Sequence, residues 1–408
     1  MSAPRALDRA QERFAPLFAK IAEGTLAREL DGVLPSEQVG WLKEAGFGAL
    51  RVPVEFGGYG LTLAEQTQLW IDLAAADANL PQALRGHAAF AEDRLYQHRL
   101  GDDQSAWFAR FVAGEVAGNA WSETGATAID TQQTVLTADG DGYRLDGRKF
   151  YTTGSIFAEW MDVYARHEDG HFVIAIVATA QPGVEVRDDW DGFGQRGTGS
   201  GTAIFTGAQV WAEDVIAFAD RFPYQTALYQ LNLLAVLTGI GKAALRDVVD
   251  GVRARERNYS HANAARVRDD PQVLARVGEI AAAVYAAEAT TLRVAEEIEA
   301  AHGAVSADAG ASAVVNEDAE VASAAAQVVV TDLILKATSD LFDTLGASAT
   351  ARSKGLDRHW RNARTVSSHN PRILKARVVG AFEVNGTPPP YAWAIGTTQR
   401  DAAGAARP

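Results

Sequence analysis

Positions 356–371 read LDRHWRNARTVSSHNP. Four Arg or His residues fall within the seven positions 358–364, and a Ser-Ser-His-Asn-Pro turn follows at 367–371. Charged and polar side chains at this density belong on a solvated face or against a polar ligand. A basic helix end is the simpler interpretation, because cations favour a helix C-terminus. A polar ligand site is the alternative.

Long helices are predicted on the N-terminal side of this stretch. Asp270-Pro271 supplies an N-cap with proline at the first helical position, and apolar residues then recur at helical spacing through 271–298. This helix should span about 30 residues, roughly 45 Å. Two more are predicted over 224–257 and 316–346. Their many alanines predict an antiparallel bundle packed closely through small residues.

A β domain is predicted over residues 114–212, where the hydrophobic period changes. Positions 133–150 predict a hairpin that turns at Asp139-Gly140-Asp141-Gly142, since Asp-Gly is a favoured turn dipeptide. Further strands are predicted at 171–177, 202–206 and 208–210. The β domain is thus inserted between two helical halves.

The N-terminal part, from about residue 6 to residue 111, predicts helices. One should begin at Ser36 and end at the glycines of 45–48, and another should begin at Thr62. His87 lies in the segment LRGHAAF; a lone helical histidine is most often a packing residue, and a functional role is the alternative.

The segment GFGQRG at 192–197 fits the pattern G-x-G-x-x-G. The dinucleotide fingerprint requires a strand before these glycines and a helix after them, and neither is predicted here. The sequence therefore argues against a dinucleotide site in this segment.

Composition narrows the class of protein. The chain has 408 residues, of which 47% are hydrophobic, so it can bury a large core and divide into two or three domains. A formal charge of −14 argues against a nucleic-acid partner. We expect no membrane span, because no uninterrupted apolar run reaches about 20 residues. The N-terminus lacks the apolar region of a signal peptide, which predicts a cytoplasmic location.

Cysteine and histidine usage excludes several kinds of chemistry. The chain has no cysteine, which excludes disulfides, thiolate nucleophiles and iron–sulfur clusters. Any redox chemistry must therefore come from a cofactor. Of the eight histidines, only His167 and His171 are four residues apart, and a turn is predicted between them. The sequence thus predicts no metal site, and no hydrolase or phosphate-loop motif is present.

Three motifs carry a resemblance to a known family. They read WSETGA at 121–126, GRKFYTTG at 147–154 and ERNY at 256–259. Together with the order helical, β, helical, they resemble the acyl-CoA dehydrogenase superfamily over nearly the whole chain. The resemblance implies an α+β fold. Its expected parts are an N-terminal helical domain (1–112), a middle β domain (113–222), a C-terminal four-helix bundle (223–397) and a flexible tail (398–408).

The resemblance also implies a homotetramer with a flavin between the β domain and the bundle. The residues implied in flavin binding are Asn119, Trp121, Ser122, Tyr151, Thr153, Ser155, Arg257 and Asn370. Of these, Arg257 would contact a flavin phosphate on a neighbouring subunit.

The opening stretch departs from the dehydrogenases. Many acyl-CoA dehydrogenases have a Glu-Gly-Thr here whose carboxylate removes a proton from the thioester substrate, whereas this chain has Asn370-Pro371-Arg372. An amide cannot act as that base. The stretch instead resembles the flavin-dependent monooxygenase branch, which includes dibenzothiophene monooxygenases and N-oxygenases. Dibenzothiophene monooxygenases have two histidines three apart in this turn; Val366 replaces the first, and His369 matches the second.

This branch implies a mechanism. Reduced FMN (FMNH2), with FAD as the alternative, comes from a separate NAD(P)H-dependent flavin reductase and reacts with O2. The resulting C4a-hydroperoxyflavin then oxygenates a small organosulfur compound. The residues implied in catalysis are His369, His87, Asn119 and Thr153, and those implied in lining the substrate side are Trp190, Phe193 and Phe157. His369 is the candidate hydrogen-bond or proton donor, because its ordinary pKa lies near neutrality.

Three alternatives remain open at this point. The first is N-oxygenation of an amine by the same mechanism. The second is an acyl-CoA dehydrogenase whose catalytic base is displaced to another helix, for which Glu256 and Glu279 are candidates. The third is a flavin-binding protein without catalytic activity.

Overall fold

The computed structural model describes residues 5–124, 132–304 and 309–390. Within these residues, helices come first, then a β-sheet, then helices again. This order confirms the predicted fold class. The predicted tail at 398–408 lies outside the described residues, as do Gly125 and Ala126 of the 121–126 motif.

The N-terminal part is helical, as predicted. Its helices are α1 (Ala6–Glu23), α2 (Thr25–Asp31), α3 (Ser36–Glu44), α4 (Leu63–Ala76), α5 (Asn79–Ala83), α6 (Arg85–Arg99) and α7 (Ser105–Val112). After α3, Gly46 takes a left-handed conformation (φ 82°) that ends the helix. Thr62 and Glu65 cap α4 reciprocally, each side chain accepting a hydrogen bond from the other's backbone N–H.

The middle part forms one eight-stranded sheet in the described residues. Its strands are β1 (Ala117–Ala120), β2 (Val135–Asp139), β3 (Gly142–Lys149), β4 (Trp160–His167), β5 (Phe172–Ala178), β6 (Val184–Val186), β7 (Ala203–Trp211) and β8 (Val215–Ala217). The strand order is β6-β7-β3-β2-β4-β5-β8, and β1 pairs in parallel with β4. The predicted hairpin is confirmed as β2 and β3, with Asp139 opposite Gly142.

One strand prediction is wrong. The sequence predicts two short strands at 202–206 and 208–210, whereas the structure has the single strand β7. Gly207 lies at the expected break with a positive φ of 60°. Its N–H donates to Asp146 of β3, and the register between β3 and β7 shifts at this point. Glycine adopts this conformation without strain, so the chain forms a bulge and the strand continues.

The C-terminal part is a bundle of long helices. Its helices are α8 (Gln225–Ala254), α9 (Pro271–Gly303), α10 (Ala309–Leu345), α11 (Asp357–Ser367) and α12 (Lys375–Asn385). The predicted start of α9 is confirmed, and the Asp270 side chain accepts a hydrogen bond from the Gln272 N–H. α10 begins seven residues before the predicted Asn316, because alanine-rich sequence continues the helix toward the N-terminus.

Two helices pass a test for membrane spans that uses length and apolar composition only. They are Gln225–Ala254 and Gly310–Leu345, and 89% and 50% of their most apolar windows are buried inside the protein. A core helix of a soluble protein passes the same test, so this result is weak support for a membrane segment.

The loop between β6 and β7 joins the β domain to α11. The Gln195 N–H donates to the Asn362 side chain at 2.6 Å. A Cβ on Gly194 would lie 2.3 Å from the Arg361 carbonyl oxygen, so only glycine allows this approach. The G-x-G-x-x-G segment at 192–197 lies in this loop, and no helix follows it there. Its glycines therefore have a packing role at the domain junction.

Candidate active site

α11 reaches two different regions of the protein. Its buried face consists of His359, Asn362, Ala363 and Val366. Near its N-terminal end, His359 lies in a cleft of about 1010 Å³ that is also lined by Arg246, Asp247, Asp250, Arg255 and Arg358. Within that cleft, both Arg358 and His359 bind the Asp247 carboxylate.

The turn after α11 forms part of a second group of polar side chains, which we call the Arg85 cluster. It consists of Arg85 (α6), Asn119 (β1), Trp121, Tyr229 (α8), His369 and Asn370. The Arg85 guanidinium lies 3.0 Å from His369 Nε2 and 5.0 Å from the centre of the Tyr229 ring. The Tyr229 ring in turn contacts Trp121 at 5.6 Å between ring centres. All three domains contribute to this cluster.

Arg85 determines the protonation pattern of His369. A guanidinium has only donors, so His369 Nε2 must accept the hydrogen bond and the ring proton must lie on Nδ1. Desolvation by the surrounding protein and the charge of Arg85 lower the pKa of His369, while a side-chain hydrogen bond to Asn370 opposes the shift. Neighbouring protein atoms crowd the His369 ring although one side of it still reaches solvent, and the lowered pKa keeps the ring neutral near pH 7. Of the two roles predicted for His369, hydrogen-bond donor and proton donor, the neutral ring therefore favours the hydrogen-bond donor.

Several polar atoms in the Arg85 cluster are buried without a hydrogen-bond partner among the described residues. They are Arg85 Nε, Asn119 Oδ1, Tyr229 Oη and Asn370 Nδ2. Such atoms are uncommon, because an unpaired buried polar group costs about 1–3 kcal/mol. Arg85 Nε and Asn370 Nδ2 are donors, Asn119 Oδ1 is an acceptor, and the Tyr229 hydroxyl can act as either. A flat heterocycle with N–H and C=O groups on its edge, such as the isoalloxazine ring of a flavin, would supply the missing partners. The residues present therefore fit a flavin.

The β domain fixes the orientation of Trp121. Its indole N–H donates to the Asp162 carboxylate at 2.6 Å. Asp162 also accepts from Arg221 at 2.9 Å, and both side chains are fully buried. Ser122 lies beside Trp121 and pairs with Phe150 through an isolated bridge.

The segment 151–155 lies next to β1. The Thr153 hydroxyl is 2.8 Å from the Ser200 hydroxyl, and the Ser155 hydroxyl donates to the Asn119 carbonyl at 3.3 Å. Tyr151 has a positive φ of 57° and is 51% exposed. A non-glycine residue in this conformation is strained, and such strain is concentrated at functional sites. The segment thus brings the predicted flavin-binding hydroxyls up to Asn119.

The three aromatic residues expected on the substrate side do not lie together. Trp190 contacts the Tyr151 ring edge to face at 5.9 Å. Phe193 is 55% exposed and stacks on Trp360 of α11. Phe157 packs against the hydrophobic core of the N-terminal helices. Among the ring contacts of the described residues, Trp190 is the one of the three that contacts a residue implied in flavin binding.

His87 does not fit the catalytic role that the family resemblance implies. It is 4% exposed, and its ring packs edge to face on Phe111. Nε2 lies 2.8 Å from the Gly48 carbonyl oxygen, and Nδ1 accepts from the Ala117 N–H at 3.3 Å. Both ring nitrogens are therefore occupied by backbone groups. His87 is a structural residue that ties α6 to β1 and to the loop after α3.

Replacing His87 by glutamine should reduce stability without changing the oxygenation rate. Burial lowers the pKa of His87 from 6.5 to about 4. The unfolded chain therefore binds a proton below pH 6.5, and the folded protein does not until about pH 4. The neutral histidine contributes its full stability above pH 6.5 and loses it as the pH falls.

The measurement is the free energy of unfolding in urea for both proteins. The free energy of unfolding of the wild type should exceed that of His87→Gln at pH 7.5. This difference should be about 2 kcal/mol smaller at pH 5. A large loss of activity in a folded variant would restore the catalytic hypothesis for His87.

Arg257 lies away from the Arg85 cluster. It is exposed in the loop between α8 and α9, and no contact joins it to the cluster in the described chain. Its predicted role on a neighbouring subunit stays a prediction.

Sequence reasoning missed Arg85, Tyr229 and the Asp162–Arg221 pair. Arg85 lies two residues before His87, and the sequence draws attention to the histidine and not to the arginine. Tyr229 lies in an apolar helix and has no local signal. The Asp162–Arg221 pair joins positions 59 residues apart.

Gly86 explains how closely α6 approaches β1. A Cβ at this position would lie 2.9 Å from the Asn119 backbone nitrogen and 3.1 Å from Asn119 Oδ1. We expect Gly86→Ala to push Asn119 away, to weaken FMN binding and to reduce stability by about 1–3 kcal/mol.

Fluorescence titration with FMN and urea unfolding measure these two effects. Gly278→Ala is the control, because a Cβ there meets nothing within 4 Å and alanine is favoured in helices. Equal behaviour of the two variants would contradict the close approach at Gly86.

The structure brings together one group of metal-binding side chain types. Ligand atoms of His167, Asp169 and His171 all lie within 4.8 Å of one another at the turn between β4 and β5. The sequence excluded these histidines because a turn separates them, yet the turn is what brings them close. Asp169 pairs with both imidazoles, which accounts for the cluster without an ion.

Comparison with known sequences identifies the family. The acyl-CoA dehydrogenase middle domain matches residues 119–208, and the acyl-CoA dehydrogenase C-terminal domain matches residues 231–371. The chain belongs to the acyl-CoA dehydrogenase superfamily. Its relatives place it in the flavin-dependent monooxygenase branch of that superfamily.

Three relatives illustrate the similarity. Dibenzothiophene monooxygenase of Rhodococcus qingshengii is 27% identical over 376 residues, which are 85% of this chain and 86% of the relative. The crystal structure of FMN-bound TdsC from Paenibacillus sp. A11-2 has a TM-score of 0.84 and 28% identity, with 94% of this chain and 98% of that chain covered. Methanesulfinate monooxygenase MsuC from Pseudomonas fluorescens has a TM-score of 0.81 and 25% identity, with coverages of 96% and 99%.

Proposed function

We propose that the protein is the oxygenase of a two-component flavin-dependent monooxygenase. It uses reduced FMN and O2 to add one oxygen atom to a small organosulfur compound. The observation that carries this proposal is the composition of the Arg85 cluster. A neutral histidine and an amide stand where many dehydrogenases of the superfamily have a carboxylate base, and no carboxylate contacts Arg85, His369 or Asn370 among the described residues.

The displaced bases considered from the sequence lie elsewhere. Glu279 on α9 is paired with Arg276, and its side chain is 61% exposed. Glu256 is exposed in the loop after α8. Neither carboxylate contacts the Arg85 cluster. These two carboxylates therefore do not support the dehydrogenase alternative.

The residues of the cluster have distinct roles in the proposed reaction. Bound reduced FMN supplies two electrons, so that one atom of O2 enters the substrate and the other leaves as water. Asn119, Thr153 and Asn370 would hold the flavin edge through hydrogen bonds. Trp121 is oriented by Asp162 and forms one wall of the site. His369, held by Arg85 in the tautomer with its proton on Nδ1, would offer that proton, which it shares with Asn370, to the oxygen atom that leaves as water.

FMN as the cofactor is supported by the relatives, which include FMN-bound TdsC. A separate NAD(P)H-dependent flavin reductase is part of the proposal, because the family resemblance implies it. A cytoplasmic location stays a prediction of the sequence.

We also propose a homotetramer formed through the C-terminal bundle. Several large apolar side chains of that part are exposed in the single chain, namely Leu274 (52%), Tyr285 (76%), Val314 (57%), Ile373 (88%) and Val384 (80%). Burial of such side chains against other subunits is favourable. Sedimentation equilibrium of the purified protein distinguishes a tetramer from a dimer or a monomer.

The proposed function is tested by oxygen incorporation. The purified protein is mixed with a flavin reductase, NADH, FMN and ¹⁸O₂, in separate reactions with methanesulfinate, dibenzothiophene and a primary amine. A sulfur product that gains one ¹⁸O atom is the expected result. Gain of ¹⁸O by the amine alone supports N-oxygenation. Bleaching of bound oxidised flavin by an acyl-CoA without oxygen would overturn the proposal.

A further inference from the structure

Arg85 differs from the other buried arginines of the described chain. Four arginines are at most 7% exposed: Arg51, Arg85, Arg94 and Arg221. Arg51 pairs with Glu92, Arg94 with Asp93, and Arg221 with Asp162. Arg85 is 5% exposed and has no carboxylate partner among the described residues. It is thus a buried cation without a counter-ion.

The groups around Arg85 do not neutralise its charge. His369 binds it as a neutral acceptor, and burial raises the pKa of the Tyr229 phenol, so that this group stays protonated. Asn119 and Asn370 are uncharged. Burial lowers the pKa of Arg85, yet a guanidinium stays protonated in proteins. A buried charge without a partner is strongly unfavourable. An anion from outside the chain would remove this penalty.

We propose that Arg85 binds the negative charge of the substrate, and that the substrate is a small organosulfur oxyanion such as an alkyl sulfinate. This inference rests on the proposed function. Arg85 contacts His369, the proposed donor at the reacting oxygen, so the anion that Arg85 binds lies beside the reacting atom. In a sulfinate, the charged oxygens and the nucleophilic lone pair belong to the same sulfur atom, which satisfies this requirement.

The reaction balances with the reactants of the proposed function. A sulfinate, O2 and FMNH2 give a sulfonate, FMN and water. The sulfur lone pair forms the new S–O bond as the O–O bond breaks, and the second oxygen leaves as water. Sulfur and flavin each lose two electrons, and O2 gains four. The net charge of the substrate is −1 before and after, so Arg85 keeps a partner throughout.

Arg85 also disfavours the amine alternative. A protonated amine would be repelled by an uncompensated guanidinium in a region of low dielectric constant. A neutral thioether would leave Arg85 unpaired, so we expect it to bind more weakly than an anion of similar size.

The test compares methanesulfinate with dimethyl sulfoxide, which has a similar size and no charge. Binding to the protein carrying oxidised FMN is measured by isothermal titration calorimetry, so no turnover is needed. The wild type should bind methanesulfinate more tightly than dimethyl sulfoxide. Arg85→Met should weaken methanesulfinate binding about 10- to 100-fold, as expected for loss of a charge-assisted hydrogen bond. Its affinity for dimethyl sulfoxide should not change.

Two further variants complete the experiment. Arg85→Lys keeps the charge and should retain part of the preference for the anion. Arg144→Met removes a surface arginine that pairs with Asp139, and it should bind both ligands like the wild type.

Three results would overturn the proposal. The first is equal affinity of the wild type for the two ligands, which needs no variant. The second is unchanged methanesulfinate binding in Arg85→Met. The third is a loss of FMN affinity in Arg85→Met while methanesulfinate binding is intact. This result would show that Arg85 binds the flavin and not the substrate. The proposed function can fail separately: Arg85-dependent binding without ¹⁸O incorporation would refute oxygenation and leave the anion site standing.

Discussion

Replacing His369 by alanine should reduce the yield of oxygenated product about 100-fold, the lower end of the usual contribution of a positioned proton donor. We expect the variant still to consume reduced FMN and O2 but to release hydrogen peroxide in place of product. His369 is open to solvent at the end of α11, so its removal leaves the fold intact. Product and peroxide are quantified in the same reaction.

The neutral state of His369 gives this prediction a pH signature. A histidine of ordinary pKa would lose its acidic proton as the pH rises through about 6.5, and the product yield would fall. The lowered pKa of His369 means that the wild type keeps the same N–H donor from pH 6 to pH 9. We therefore expect a flat yield over this range.

His369→Asn is the matched variant. The asparagine amide offers an N–H near the position of Nδ1 and should recover part of the yield that alanine loses. His171→Ala, at the exposed turn between β4 and β5, should behave like the wild type. A wild-type yield from His369→Ala would show that this residue does not serve the oxygen species.

Replacing Arg221 by methionine should reduce the free energy of unfolding by about 3–5 kcal/mol. Arg221 lies 2.9 Å from Asp162 of β4 and 3.5 Å from Asp93 of α6, and all three side chains are fully buried. Its loss would leave the buried Asp162 carboxylate without its counter-charge, and Asp93 would keep only its pair with Arg94. Urea unfolding measures the effect.

The loss of stability in Arg221→Met should depend on pH. Burial already raises the pKa of Asp162, and removal of Arg221 raises it further. A carboxyl group whose pKa is higher in the folded protein than in the unfolded chain favours folding when it is protonated. This contribution to the free energy of unfolding is lost as the pH rises. The variant should therefore be closer to the wild type at pH 5 than at pH 8. The control is Arg144→Met, whose half-exposed ion pair with Asp139 should contribute less than about 1 kcal/mol.

The fold could be predicted largely because its signals are local. The proline and aspartate at the start of α9, and Thr62 with Glu65 at the start of α4, act within one helical turn. The bulge at Gly207 could not be predicted, since it depends on Asp146 of the neighbouring strand. The start of α10 could not be predicted for a different reason, because the alanine-rich sequence before Asn316 favours a helix without marking where it begins.

The candidate site was only partly predictable for the same reason. His369 and Asn370 were found because they replace a carboxylate expected at a fixed distance from α11. The structure gives His87 a backbone carbonyl and a backbone N–H as partners, which argues against the predicted catalytic role, and such partners leave no trace in the sequence. The missing counter-ion of Arg85 becomes visible only when the other buried arginines can be compared in three dimensions.

The contact between Arg85 and His369 joins positions 284 residues apart in the chain. During synthesis, domains generally fold from the N-terminus as they emerge from the ribosome. The N-terminal helices and the sheet therefore form while Arg85 is still without its histidine, and the catalytic arrangement is complete only after the turn following α11 has left the exit tunnel. A nascent chain arrested before residue 356 would fold over most of its length and remain inactive.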